Sequence, residues 1–322
     1  MADEPREPPL VRCDLHVHSR RSGAVDLPVL RHFGDECYSE PQAVYEQARR
    51  RGMDLVTLTD HDTIRGALEI ASLPGTFVSE EVTCELPGDR KIHLGVWDIS
   101  EAQHDRIAVL RRDAEALFAH LAEERIPFCV NHLFSALTGR RQLRDFNAAL
   151  GAAPLVEARN GMMSSLINAY ATQAGTETGI PVVGGSDAHT LASVARSYTI
   201  VERARSREEF LEGLRRGFTV PAGTSGSYAR LTADVARVFA GGYRENARRS
   251  LQGLAAAARF AAMLAAVPIL PLIPIFTAAI YLHERTFAIR HWQEFQAAAL
   301  RPSRRPERPG PWGAAPRPAV QP

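Results

Sequence analysis

The feature that most constrains this chain is a recurring alternation of short apolar runs and helical stretches over residues 10 to about 221. VRCDLHVH (11–18), DLVTLTD (54–60), TFVSEEVT (76–83), KIHLGVWDI (91–99), PFCVNHLF (127–134), PLVEARNG (154–161), PVVGGSDAH (181–189) and SYTIVE (197–202) read as strands. Several are continuous Val/Ile/Leu/Phe runs, as expected of strands covered on both faces. Segments 40–51, 101–124, 163–178 and 206–216 read as helices. The first is expected to start at Ser39, with Pro41 in its first turn and Gln42 three residues on; the last runs from Ser206, with Glu209 in the same relation, to Gly217. Leu86-Pro87-Gly88-Asp89 joins two strands without a helix. This rhythm predicts a parallel α/β architecture, and barrel closure is the arrangement it favours.

The residues that carry chemistry sit in or at the ends of those strands. In Asp14-Leu15-His16-Val17-His18, positions two apart share a face, so two imidazoles project together beside a carboxylate. An isolated HxH is weak evidence, since many such pairs bind nothing. Here it recurs: His61, Glu81, His93, His132, Glu157, Asp187 and His189 occupy corresponding places in later strands, and six of the eleven histidines fall this way. Strand C-termini of a parallel barrel converge on one face, which turns scattered positions into one pocket. A buried core histidine or a capping aspartate explains any one of them; it explains the set poorly.

With these residues in view, the chain resembles the polymerase-and-histidinol-phosphatase (PHP) superfamily. DLHVHS, TDHD, the EVT…IHL pair, NH and GSDAH stand in that family's order and spacing over residues 11 to about 202. The resemblance implies a distorted seven-stranded barrel, TIM-barrel-like, with two or three divalent metal ions (zinc, manganese or iron), hydrolysing phosphoesters. It implies His16, His18, Glu81 and Asp187 around one metal, Glu81 bridging to a second completed by His93 and His132, and His61 with His189 at a third. Glu81 is preferred to Glu80 because the family's acid precedes an apolar-Ser/Thr pair, here Val82-Thr83. The chain departs from the family's short continuation after the first motif, carrying instead RRSGAVDLPVLRHFGDECYSEP (20–41). Glu36 is the expected third-site ligand there, with Asp35 or His32 as substitutes.

A metal ion lowers the pKa of bound water from about 15.7 to near 7, supplying hydroxide at neutral pH. Asp14, Asp60 and Asp62 are expected around the ligands, orienting them or relaying a proton to the leaving oxygen, with turn capping the plainer reading of Asp62. Of Arg65, Arg140, Arg141, Arg159 and Arg196, which follow ligand strands, Arg159 and Arg196 are the expected phosphate partners because of their nearness to Glu157 and His189. The expected substrate is a small phosphomonoester or nucleotide. The formal charge of +1 and the lack of a basic groove with interleaved aromatics weigh against a nucleic-acid channel, although a nuclease using the same metals is the second reading. A metal-dependent amidohydrolase fits less well, because the only lysine, Lys91, lies two residues before His93.

The remainder bounds setting and organisation. The 322 residues are 45% hydrophobic and 23% charged, as in a foldable globular chain. Cys13, Cys37, Cys84 and Cys129 form no CxxC, which suits a reducing compartment and a cytoplasmic chain. Residues 1–9 and the Pro/Arg-rich tail 301–322 are expected to be disordered, and 221–228 to be a linker. A helical extension over 222–300 contains FAAMLAAVPILPLIPIFTAAIYL (260–282), long enough to cross a bilayer but broken by Pro268, Pro271 and Pro274. Membrane association through it, and a catalytically silent partner-binding protein, are the readings from another class.

Overall fold

The computed structural model describes residues 9–23, 35–139, 141–250 and 267–299, with 253, 258, 260, 261, 264 and 265 between. His32, Arg140 and both expected disordered ends lie outside the described residues, apart from Pro9. The elements run β1 (Leu10–Asp14), α1 (Pro41–Arg50), β2 (Leu55–Val56), α2 (Arg65–Ile70), β3 (Ser79–Leu86), β4 (Arg90–Trp97), α3 (Glu101–Leu110), α4 (Ala114–Glu123), β5 (Phe128–Val130), α5 (Leu143–Ala152), β6 (Leu155–Asn160), α6 (Ser165–Thr178), β7 (Val182–Gly185), β8 (Ser197–Glu202), α7 (Arg207–Arg216), β9 (Val220–Gly223) and α8 (Tyr228–Arg249). A 3-10 turn (Val267–Leu272) then leads into α9 (Ile273–Ala299).

The mixed α/β fold is as expected; its closure into one seven-stranded barrel is not. The described strands form a four-stranded sheet, β2-β1-β8-β9, and a five-stranded sheet, β3-β4-β5-β6-β7. Isolated bridges such as Val17–Ala188, Val56–Thr76 and His61–Glu81 join them. The ladders stop short because the chain leaves extended geometry where the chemistry begins. Asp62, His132 and Asp187 all have positive φ (52°, 28° and 52°), which ends a strand and re-aims the side chain.

Local signals set most boundaries. Ser206 caps α7 by accepting from the Glu209 N–H, and Gly217 ends it in the left-handed region. For α1 the cap is Glu40 rather than Ser39, without a side-chain hydrogen bond, and Pro41 occupies the first turn. The expected helix 101–124 is two, broken at Asp113, which caps the second. The stretch expected as a linker contributes β9, paired to β8 with Pro221 opposite Thr199; as the sheet's last strand, β9 tolerates a residue without an N–H.

Packing on both sides of the sheets orders the whole. Leu15, Trp97, Cys129, Leu155 and Val183 share one cluster between the sheets, and the Trp97 indole N–H donates to the Leu15 carbonyl at 2.9 Å. The larger cluster joins Leu94, Val130 and Val156 to the helices, and α9 places Ala288, Trp292 and Phe295 in it. Trp292 stacks on Tyr170 of α6 at 5.0 Å, 8° between planes. The C-terminal helix is thus part of the core. Among the described residues no helix is long and apolar enough to cross a membrane, and the second half of the apolar stretch is split between a 3-10 turn and α9.

Candidate metal centre

The ends of both sheets gather the predicted imidazoles and carboxylates at one place. Four groupings could each hold a metal ion, their ligand atoms lying within 4.8 Å of one another: His16, His18 and Glu81; His16, His132 and Asp187; His61, Glu81 and His93; and His18, Glu36, His61 and His189. All nine residues expected around metal are therefore brought together. Glu36 takes the place expected of it despite coming from the insertion, its Oε1 3.5 Å from His61 Nε2 and 3.9 Å from His189 Nε2.

Glu81 is the hub. It is fully buried, and imidazole nitrogens of His16, His61, His93 and His132 each lie 3.2 Å from one of its oxygens, with His18 at 3.4 Å. Burial pushes its carboxyl up, but the surrounding imidazoles outweigh that and hold it well below the usual carboxylate range. Glu80 faces the other way, against His104 of α3 at 2.9 Å. Strand alternation separates the two carboxylates, and Glu81 is the one that faces the imidazoles.

Neighbours fix the imidazole tautomers. His16 Nδ1 donates to Glu157 at 2.8 Å, and His189 Nδ1 donates to the Asp187 carbonyl at 3.0 Å, so both turn an Nε2 lone pair inward. Ser22 Oγ donates to Asp60 and therefore receives the His18 Nδ1 proton, at 2.9 Å, with the same result. Asn131 donates to Glu81 at 2.8 Å, and Asn160 donates to both Glu157 and Asp187. The role of Glu157 and the two asparagines was missed. Asn131 stands directly before His132, a signal available in the sequence; Asn160 had none, because a β-bulge between Glu157 and Arg159 decides which residue joins Glu157.

That bulge also corrects the arginines. Arg159 donates to the Gly223 carbonyl and Arg196 to the Ala192 carbonyl, and neither has a polar contact with the cluster among the described residues. Arg141 is buried and holds the Leu133 carbonyl and Thr138, while Arg65 is exposed on α2. Asp14 and Asp60, expected to orient the ligands or relay a proton, brace the loops that carry them. Asp14 accepts from Ser186 N, Ser186 Oγ, Ala195 N and His16 N; Asp60 accepts from Ser19 N, Ser19 Oγ and Ser22 Oγ. Their oxygens are spent on loop amides and hydroxyls. Asp62 accepts the Thr83 N–H and pairs with Arg111, as a turn residue does.

The C-terminal helices reach the loops beyond three of the histidines. Asp234 of α8 accepts from Thr190 and Ser193, after His189; both oxygens of Glu284 of α9 accept the Ala136 N–H, after His132. Glu245 of α8 pairs with Arg20, after His18, at 3.2 Å.

The donor set fits divalent cations on a further observation. Ten buried side-chain polar atoms among the described residues lack a hydrogen-bond partner, and seven belong to this cluster: His16 Nε2, His18 Nε2, Glu36 Oε1, His61 Nδ1, Glu81 Oε2, His93 Nδ1 and His132 Nδ1. Each such atom costs about 1–3 kcal/mol if left unpaired. Imidazole and carboxylate together suit zinc, manganese or iron better than calcium.

A family model described as PHP-associated matches residues 167–219. An uncharacterized protein of Methanocaldococcus jannaschii is 36% identical over 72 residues, covering 22% of this chain and 41% of its own length. The crystal structure of PsfC from Pseudomonas syringae superposes with a TM-score of 0.50 at 17% identity, over 71% of this chain and 98% of PsfC, a likeness of fold. A proposed metal-dependent phosphoesterase from Bifidobacterium adolescentis aligns at 0.37, with 15% identity over 57% of this chain and 90% of its own, too loosely to bear on function. The match of residues 167–219 to a PHP-associated family model is in keeping with the resemblance of the chain's motifs to the polymerase-and-histidinol-phosphatase superfamily.

Proposed function

We propose that the chain is a metal-dependent phosphoesterase that hydrolyses a small phosphomonoester or nucleotide. The observation that carries this reading is the inward-facing set of buried, unpartnered ligand atoms centred on Glu81. His16, His18, Glu81 and Asp187 would hold one cation; Glu81, His93 and His132 a second; Glu36, His61 and His189 a third. Divalent cations there supply Lewis-acid activation of water and neutralise phosphoryl oxygens.

The chain's own groups do the rest. Glu157, the Asp60–Ser22 pair and the Asp187 carbonyl lock three imidazoles in the tautomer that presents Nε2. Asn131 and Asn160 hold the carboxylates of Glu81 and Asp187 in register. Arg159 and Arg196 are turned to backbone carbonyls, so neither of them orients the phosphate, and that task falls to the cations.

The test uses the full chain. Metal content is measured after purification. Release of phosphate from monoesters and nucleotides is then compared with release of nucleotides from short 5′-phosphorylated RNA. Chelation should abolish phosphate release, and manganese or zinc should restore it. Metal-loaded protein that turns over none of these substrates would refute the reading.

A further inference from the structure

Beside the cluster lies a cavity of about 80 Å³, between the strand ends and the C-terminal helices. Asp187 and His189 border it on one side; Met162, Met163, Ile167, Leu231, Ile280 and Tyr281 supply most of the rest. Its described lining contains no lysine or arginine, and Glu284, also part of it, is engaged with the Ala136 amide. A metal-binding edge thus opens directly onto an apolar recess.

We propose that this recess binds the hydrocarbon side of a small aliphatic phosphomonoester whose phosphate meets the cluster. The proposal rests on the phosphoesterase reading and narrows its substrate class. Size argues for a short alkyl group: an apolar cavity of about 150 Å³ holds benzene, so about half that volume takes about three or four carbons. A nucleobase is read by hydrogen bonds to its edge and by stacking between flat side chains, and beyond His189 this wall offers one aromatic ring, Tyr281, and one hydroxyl, Ser164, among two methionines and aliphatic side chains. The C-terminal helices, through Leu231, Ile280 and Tyr281, determine specificity here.

The experiment takes the full-length, metal-loaded protein through methyl- to pentylphosphonate by calorimetry, and through the matching alkyl phosphates and adenosine monophosphate by phosphate release. Affinity and kcat/KM should rise about fourfold per methylene, level off near four carbons, and place the nucleotide below butyl phosphate. Ile280→Trp, which fills the recess from a partly exposed helix position, should flatten both series. Ile280→Ala should move the plateau to longer chains. A series independent of chain length in the unaltered protein, or one that neither variant changes, would overturn the proposal. If the phosphonates bind with the expected trend but no ester is cleaved, the recess stands and the phosphoesterase reading falls. If methyl phosphate and the nucleotide are cleaved without a chain-length trend, the reverse holds.

Discussion

Exchanging Glu81 for glutamine tests whether one carboxylate serves two cations. The side chain is buried among five imidazoles at 3.2–3.4 Å, and Asn131 fixes one of its oxygens. A cation present at a thousand times its Kd stabilises the folded state by about 4 kcal/mol, so two sites together give about 8 kcal/mol. Unfolding entropy for a chain of this length is about 0.7 kcal/mol/K, which makes the loaded protein melt about 12 °C above the chelated one. Glutamine keeps the shape, but it removes the shared charge and turns an NH2 toward imidazole nitrogens. A hundredfold loss at each site removes about 2.7 kcal/mol apiece, shrinking that gap to about 4 °C. Scanning calorimetry with and without chelator, alongside elemental analysis, reads both quantities. A Glu81→Gln protein that keeps the full gap and its full metal content would refute the bridging role.

Glu36→Gln should lower metal content by one ion per chain and leave the other sites filled, as elemental analysis would show. In the metal-free protein burial raises Glu36 to about 7, against an ordinary 4.5. Between those values the folded state holds a proton the unfolded chain lacks, so its ionisation costs about 3 kcal/mol as pH rises across the window. Melting of chelated protein at pH 5 and pH 8 should show this loss, and Glu36→Gln should lack it. Gly185→Ala would put a methyl group 2.3 Å from His16 Cβ and 2.7 Å from its amide nitrogen. We expect lower thermal stability by about 1–3 kcal/mol and weaker metal retention, measured by melting and metal content.

Strand-to-strand spacing of metal-competent residues was legible because ligand chemistry allows few residue types. That is why His16, His18, His61, His93, His132, Asp187 and His189 could be placed before any coordinates. Glu81 over Glu80 followed from the resemblance, whose acid precedes an apolar-Ser/Thr pair, and Glu36 from that family's spacing to a proline, here Pro41. What escaped depends on a one-residue change of parity or on long-range packing. The bulge at Glu157–Arg159 sends Asn160 inward and Arg159 toward β9. Positive φ at His132 and Asp187 ends the ladders, leaving two sheets in place of a closed barrel. β2 and β5, two and three residues long, are too short for periodicity to mark their ends. The apolar 260–282 stretch satisfies a length rule, yet α9 directs Ala288, Trp292 and Phe295 into the core, and composition says nothing of that docking.

Asp234, Glu245 and Glu284 secure segments that follow His189, His18 and His132, yet all three lie beyond residue 228. Order of synthesis therefore matters. A growing polypeptide that has reached His189 carries every candidate ligand but none of these ties, so a firm hold on cations would wait for α9. Proteolytic clipping after β9 would leave a fragment in the same condition: complete in its ligands and slack in its grip.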